Sequence, residues 1–439
     1  MSSSLADRSP HRRHPAVTAL AIAGAGALAW NAARLALELF GPIVPYRLVD
    51  PGTWPLDSEE FVQYLSHITD AFLTTDTAIT VLRNGPEFYP AELEAIRAAK
   101  TRVQLEFYEF MQGEVGDAVL EVLTERARAG VAIHVVIDAI GSFRTPTSYF
   151  DELRRAGGRV LWYHPVRFRD IPHIDRRTHR KLLVVDGRVG FIGGAGIADH
   201  WLMHGKNGPR WRDTIFRVEG RAVLGLVSVL SENWLECSGE ILGPSKELTS
   251  AALSDGARSI VVESTPQQGG TRARILFQVL LDSARESIQI TTPYFLPDRS
   301  ARRALLRAIR ERGVLVRILT NGGKSDHPTI TKLSRSLELE LVRAGAAIYE
   351  YQPGMIHAKL MVIDQQWSVL GSANFDHRSF ALNDEVNMAV LDRSLAATLC
   401  KQMSDDVAQS QRLTVGRLRN RSLSMKLMDD LSWLVRREE

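Results

Sequence analysis

The sequence predicts an α/β protein: two duplicated α/β-sandwich halves packed around one shared active site. Three observations predict it. The spacing H-x-K-x4-D occurs twice, as His179, Lys181 and Asp186 and again as His357, Lys359 and Asp364, 178 positions further on. Each copy runs through an apolar, β-branched stretch (LLVV or LMVI) into a Gly-rich turn, Gly193–Gly194 or Gly371–Ser372. Around both copies, strand-like and helix-like patterns alternate in the same order, which implies βαβ units and a parallel or mixed sheet.

Along the chain, residues 1–40 read as a basic N-terminus, with Arg8, Arg12 and Arg13, followed by an uncharged run over 15–33. Nineteen residues at roughly 1.5 Å each just span a bilayer as a helix. The run fits a cleaved signal peptide, an uncleaved anchor, or a membrane-surface helix continuing to Phe40, with a soluble Ala-rich helix as the alternative. Residues 41–76 begin with the turn-rich GPIVPY and DPGTWP, then EEFVQYLSHITDAFL predicts a helix.

The first half covers 77–244: VQLEFYEF is a strand, VGDAVLEVLTERARAG a helix ended by Gly130, and VAIHVVIDA a strand. After a polar stretch, KELTSAALSDGAR, the second half covers 259–405. It repeats the order with SIQITTPYF, RRALLRAIRERG ended by Gly313, and VLVRILTN. Arg144–Tyr163 matches Leu333–Tyr351, each a helix ended by Gly and followed by a strand that leads to the motif. Residues 406–439 read as a basic tail. Arg412, Arg417, Arg419, Arg421 and Lys426 suit an anionic lipid surface, or a solvated helix face.

Composition is that of a folded chain, with 45% hydrophobic and 24% charged residues. A net charge of +3 is too mild to imply a nucleic-acid partner. Cys237 and Cys400 offer neither a disulfide framework nor metal-ligand spacing.

The chemistry follows from alternation, which puts His357 and Lys359, and equally His179 and Lys181, on one side of an extended strand. Two imidazoles and two ammonium groups that converge make a phosphodiester site. The lysines hold anionic oxygens, one neutral imidazole attacks phosphorus, and the other moves the proton of the leaving and entering alcohols. This scheme calls on no metal and no cofactor. Asp186 and Asp364 complete the catalytic motif, but they lie five residues beyond the lysines and read as capping or orienting residues.

These motifs resemble the phospholipase D superfamily. LRNGPEFYPAELEAIRAAK, RARAGVAIHVVIDAIGS, WRDTIFRVEGRAV, TTPYFLPD and HAKLMVID…GSANFDHRSFALNDEVN are similar to its bacterial cardiolipin synthase branch. The resemblance covers about residues 80–400. It implies two phospholipase D-like halves, one site at a pseudo-twofold axis and a phosphohistidine, with His179 favoured as nucleophile. It also implies Asn374, Ser372, Glu385, Asp213 and Tyr294 as substrate-binding residues. The first copy departs from the pattern: Gly196 stands where the second has Asn374, and Gly194 where it has Ser372, so an asymmetric site is expected.

The implied activity is phosphatidyl transfer between two phosphatidylglycerols at a bacterial cell membrane, giving cardiolipin and glycerol. A hydrolase, an endonuclease and a non-catalytic lipid-binding scaffold are the rivals. Phe295, Pro297, Asp298, Asp326 and His327 are further loop candidates, Glu106 and Glu109 weaker ones. His173, His200 and His204 read as surface histidines.

Overall fold

The computed structural model describes residues 45–49, 54–165, 176–202, 211–243, 255–265 and 271–419, with Gly24, Gly26 and Trp30 besides. The basic residues at 8, 12 and 13, most of the run over 15–33, most of the polar stretch between the halves, His173, His204, Arg421 and Lys426 lie outside the described residues.

The chain enters through α1 (Glu59–Ile68) and β1 (Leu73–Arg83). The first half continues as α2 (Gly85–Arg97), β2 (Arg102–Phe107), α3 (Glu114–Arg128), β3 (Ala132–Asp138), α4 (Asp151–Arg155), β4 (Arg159–Tyr163), β5 (Lys181–Val185), β6 (Val189–Gly193), β7 (Trp211–Arg212), β8 (Thr214–Glu219) and α5 (Ala222–Ser238). The second half runs β9 (Ala257–Ser264), α6 (Arg272–Ser283), β10 (Ser287–Thr291), β11 (Phe295–Leu296), α7 (Arg299–Arg312), β12 (Leu315–Asn321), α8 (Pro328–Ala344), β13 (Ala347–Tyr351) and β14 (Met355–Ile356). It ends with β15 (Leu360–Ile363), β16 (Trp367–Gly371), β17 (Phe375–Asp376), α9 (His377–Ala381), β18 (Glu385–Leu391), α10 (Arg393–Val407), β19 (Ser410–Arg412) and α11 (Val415–Arg419).

Fifteen strands form one mixed sheet in the order β19-β13-β12-β10-β15-β16-β18-β9-β1-β8-β6-β5-β2-β3-β4. The antiparallel β1–β9 pair is its centre, and the strand orders on either side mirror each other. The expected βαβ units are the parallel runs β2–β3–β4 and β10–β12–β13. Helices end where the sequence predicts: Gly130 and Gly313 follow α3 and α7 with φ of 88° and 67°, a region in which a side chain would be strained. Asp298 caps α7 by accepting from Ala301 N at 2.8 Å and pairs with Arg274 at 2.7 Å, so this candidate is structural.

Each half has its own apolar core, and a third core joins them. Leu182, Val184, Ile192 and Phe216 of the first half pack with Val362, Leu370, Val386 and Met388 of the second, beside α5 and α10. Burying such side chains contributes about 1.5–3 kcal/mol each, which holds the two motif strands in one body.

Two boundaries differ from expectation. Residues 45–49 and 54–68, read as linker and helix, strap onto the second half. Leu56, Phe61, Val62 and Leu65 enter its core, and Trp367 Nε1 donates to Leu56 O at 2.8 Å. Residues 410–419, read as tail, add the edge strand β19 to β13 and bury Leu413 and Leu418 in the same core. The basic pattern concealed these short apolar contacts.

Candidate active site

The site is assembled by two short backbone bridges that cross between the halves. Thr178 pairs in parallel with Asp384, and His179 N donates to Asp384 O at 2.9 Å. In the mirror position β14 pairs with β7, and His357 N donates to Arg212 O at 2.7 Å. Each bridge sets a histidine beside the next residue of the opposite half, and that residue is a carboxylate.

His179 Nδ1 lies 2.9 and 3.1 Å from the two carboxylate oxygens of Glu385. His357 Nδ1 lies 2.9 Å from Asp213 Oδ2. A carboxylate on Nδ1 fixes the ring and leaves Nε2 for chemistry.

Alternation holds through the motif. His179 and Lys181 face the site, whereas Arg180 points the other way, into α5, where it pairs with Glu232. Lys181 Nζ donates to His179 O at 2.6 Å and lies over the Tyr108 ring, 5.4 Å from its centroid. Lys359 Nζ lies 2.8 and 3.0 Å from the two ring nitrogens of His357.

All four groups are buried or nearly so, and they act on one another. Burial first, then nearby cations, holds His357 well below its ordinary pKa. Burial lowers His179 to about 4, against the upward pull of Glu385. Burial likewise lowers Lys359 to about 8 and drives Lys181 well down. Burial raises Glu385 less than His179 and Lys181 lower it, so it sits at about 2 and is ionised. Burial raises Asp213. At neutral pH both imidazoles are neutral. The two lysines repel one another, and an anion between them would relieve that repulsion.

The expected substrate residues occupy different layers. Ser372 Oγ donates to Glu385 and accepts from Val386 N at 3.0 Å, so it braces the carboxylate behind His179. Asn374 is buried, and its Oδ1 has no hydrogen-bond partner, as expected of a side chain poised for a ligand. Tyr294 Oη donates to Asp326 Oδ1 at 2.6 Å, and Asp326 is among the carboxylates that act on Lys359.

Asp186 and Asp364 do not join the cluster. Both sit at hairpin turns with φ of 53° and 49°. Asp186 accepts from the backbone N–H of Lys100, Thr101 and Arg102 at 2.8–2.9 Å, and Asp364 from those of Arg285, Glu286 and Ser287 at 2.8 Å. Their place in the catalytic set is corrected: seven residues of extended chain put each about 20 Å from its histidine. They tie the motif hairpin to the start of the neighbouring strand, the orienting role that the spacing suggests.

Glu106 also faces away, accepting from Asn233 Nδ2 at 2.6 Å and from Thr178 Oγ1. His200 is not a surface histidine. It is wedged between Trp201 and Trp211, 4.0 and 4.1 Å from their ring centroids, and burial lowers it to about 4.

Sequence reasoning missed the aromatic wall. Trp201 and Trp211 stand 5.6 and 4.9 Å from the His357 ring, and Tyr108 stands 5.3 Å from that of His179. Trp201 Nε1 also donates to Asp213 Oδ2 at 3.2 Å. The two tryptophans lie in or beside a loop without periodicity, so only their clustering after the motif signalled them.

The asymmetry of the Gly turns has a steric cause. A Cβ on Gly194 would come within 2.7 Å of both Asp213 Oδ1 and His357 O. One on Gly196 would come within 2.8 Å of Glu109 O.

Comparison with known proteins shows the family. The family described as "Cardiolipin synthase, PLD-like domain" matches residues 93–204 and 278–407. "Cardiolipin synthase 2" of Bacillus anthracis is 33% identical over 360 residues, which cover 81% of this chain and 70% of that protein. "Probable cardiolipin synthase YwiE" of Bacillus subtilis is 31% identical over 359 residues, 82% and 71% of the two chains. Among solved structures, phosphatidylserine synthase from Haemophilus influenzae Rd KW20 superposes with a TM-score of 0.68 at 15% identity, covering 85% of this chain and 97% of that one. That likeness is one of fold.

Proposed function

Because this chain belongs to the phospholipase D superfamily, in its cardiolipin synthase branch, we propose that it is a phosphatidyltransferase that converts two phosphatidylglycerols into cardiolipin and glycerol. The observation that carries the reading is the crossed pairing His179–Glu385 and His357–Asp213 around two buried lysines.

His179 Nε2 attacks phosphorus while the bond to the glycerol oxygen breaks. Glu385, ionised and braced by Ser372, stabilises the charge that develops on the ring. Before the lipid binds, His357 is neutral. With the phosphodiester bound, its negative charge offsets both lysines and raises the proton affinity of His357, which takes up a proton from water and then gives it to the departing glycerol oxygen. A second phosphatidylglycerol enters, its hydroxyl loses a proton to His357, and its oxygen displaces His179 from phosphorus. Lys181 and Lys359 hold the phosphate oxygens throughout, and Asn374 Oδ1, which has no protein donor, accepts from a glycerol hydroxyl. Tyr108, Trp201 and Trp211 wall the cleft with apolar surface, which favours an alcohol over water as the acceptor.

The membrane is the source of both substrates, so the protein acts at a membrane surface, anchored or peripheral. Among the described residues no helix is long and apolar enough to cross a bilayer.

Incubating the purified protein with phosphatidylglycerol and reading products by lipid mass spectrometry, with His357→Ala as control, tests this reading. Cardiolipin and glycerol are expected. Phosphatidic acid would make the protein a hydrolase of the same chemistry. No product from the unmodified protein would overturn the assignment.

A further inference from the structure

Five residues past the ends of β3 and β12 the two halves present corresponding positions with opposite chemistry. In the second half the position is Asp326, bonded to Tyr294. In the first it is Phe143, whose ring is 71% exposed. A scattered exposed apolar residue needs no explanation. This one sits in a turn whose backbone is tied to the strand end that carries Tyr108.

Ser142 Oγ accepts from Phe110 N at 2.9 Å, Thr145 Oγ1 donates to Phe110 O at 2.7 Å, and Asp138 Oδ1 accepts from Ile140 N and Gly141 N at 2.8 and 2.9 Å. Gly141 packs so closely on Tyr108 O that a Cβ there would come within 2.0 Å. Tyr108 is the residue whose ring meets His179 and Lys181. Phe143 is thus two residues from the backbone that touches this wall of the cleft. The exposed Arg144 lies beside it, guanidinium 5.4 Å from the ring centroid, and is among the groups acting on Glu109. Across the cleft the corresponding loop carries the exposed Lys324.

We propose that the turn over 140–145 is the interfacial contact of the enzyme, with Phe143 entering the acyl layer of an anionic phospholipid bilayer and Arg144 binding a headgroup phosphate. The inference rests on the phospholipid reading of the active site and adds where the bilayer meets the fold. A rigid aromatic next to a guanidinium matches the boundary between acyl chains and anionic headgroups. The cations on both sides of the mouth fit the same charge.

The test uses the full chain. A photoreactive benzophenone side chain installed in place of Phe143 is irradiated with phosphatidylglycerol vesicles, and adducts are read by mass spectrometry. Adducts to acyl chains are expected, and none are expected from the same group installed at the exposed Leu315, at the start of β12 and the opposite end from the site. In parallel, Phe143→Ser should lower turnover on vesicles by about tenfold while turnover of a short-chain phosphatidylglycerol below its micelle concentration stays within about twofold. Phe143→Leu should restore most of the vesicle activity.

Absence of acyl adducts at 143, or equal loss on vesicles and on monomeric lipid, would overturn the proposal. Adducts to a protein rather than to lipid would do the same. Because cross-linking is independent of turnover, acyl adducts at position 143 together with no product from the unmodified protein would sink the functional reading and leave the interfacial contact standing.

Discussion

His179 and His357 reach the cleft by the same backbone device, a parallel bridge to the opposite half, yet what stands behind the two rings differs. Behind His179 is Glu385, ionised, braced by the Ser372 hydroxyl and contacting Nδ1 with both oxygens. Behind His357 is Asp213, where Gly194 leaves no room for a hydroxyl and the Trp201 indole N–H supplies the second bond. The supports beneath differ as well. Asp384 accepts from Tyr163 Oη at 2.6 Å and lies in a buried network with Asn233 and Glu106, whereas Arg212 pairs with Asp406 at 3.0 Å. Duplication kept the geometry and let the chemistry diverge. An ionised, doubly contacted carboxylate suits the ring that becomes covalently charged. A ring held low by burial and then by two lysines until an anion arrives suits the proton shuttle.

The strongest way to break this division of labour is to remove either ring. His179→Ala and His357→Ala should each lower turnover of phosphatidylglycerol by about 10³-fold or more, measured as glycerol release. A phosphatidyl ester with a nitrophenol leaving group sharpens the comparison, because its departure needs no proton. It should restore the first burst of product in His357→Ala and not in His179→Ala. Equal rescue of both would reverse or dissolve the assignment.

The next test targets the carboxylates. Glu385→Gln and Asp213→Asn keep shape and lose charge, and each should lower turnover by about 10²–10⁴-fold. Trp201→Phe removes the N–H to Asp213 and also shrinks a buried indole to a phenyl, so a loss of about tenfold is expected. If Trp201→Phe harmed the nitrophenol ester as much as phosphatidylglycerol, the indole would not be acting through the proton shuttle.

Much of this was legible in the sequence, and the reason is periodicity. The doubled H-x-K-x4-D, the β-branched runs and the glycines after helices are local signals, and they yield the two halves, the repeated order of elements along the chain and the four central side chains. Glu385 and Asp213 were reached through family resemblance alone, since a cross-half hydrogen bond leaves no mark on spacing. The β1–β9 junction, the Leu56–Leu65 strap and the β19 edge strand were not legible, because each is a pairing between segments distant in sequence. Tyr108 hid at the end of a strand whose apolar pattern explains it fully, and Trp201 lies in a turn where no period applies.

pH separates the two sides without mutation. Lys359 is lowered to about 8 by burial, so the free enzyme loses phosphate-binding charge as pH rises past that value, and kcat/KM should fall above about pH 8. His179 is lowered to about 4 by burial against the pull of Glu385, so the nucleophile is lost only below that pH. Glu385→Gln removes the group that raises His179, and the acid limb of whatever activity remains should move to lower pH. Asp213→Asn should leave that acid limb in place. An acid limb that moves equally in both variants would show that it belongs to the pair of rings and not to His179.

The smallest effect on turnover is expected from making the halves more alike. Gly196→Asn places in the first copy the residue that the second carries at 374, and a simple symmetry argument would predict tighter phosphate binding. The backbone says otherwise. The new Cβ would meet Glu109 O at 2.8 Å and Glu109 Cβ at 3.1 Å, with the Trp201 ring at 3.4 Å. These neighbours are a strand-end backbone and a buried indole, neither of which yields cheaply. The variant should lose about 1–3 kcal/mol of stability, seen as a lower thermal midpoint, with turnover at permissive temperature within about threefold of the parent. An unchanged midpoint together with a lower KM would show that the first half still has an open place for the amide. The expected outcome shows instead that Glu109 and Trp201 have filled it, so that the asymmetry between the half-sites is built into the packing.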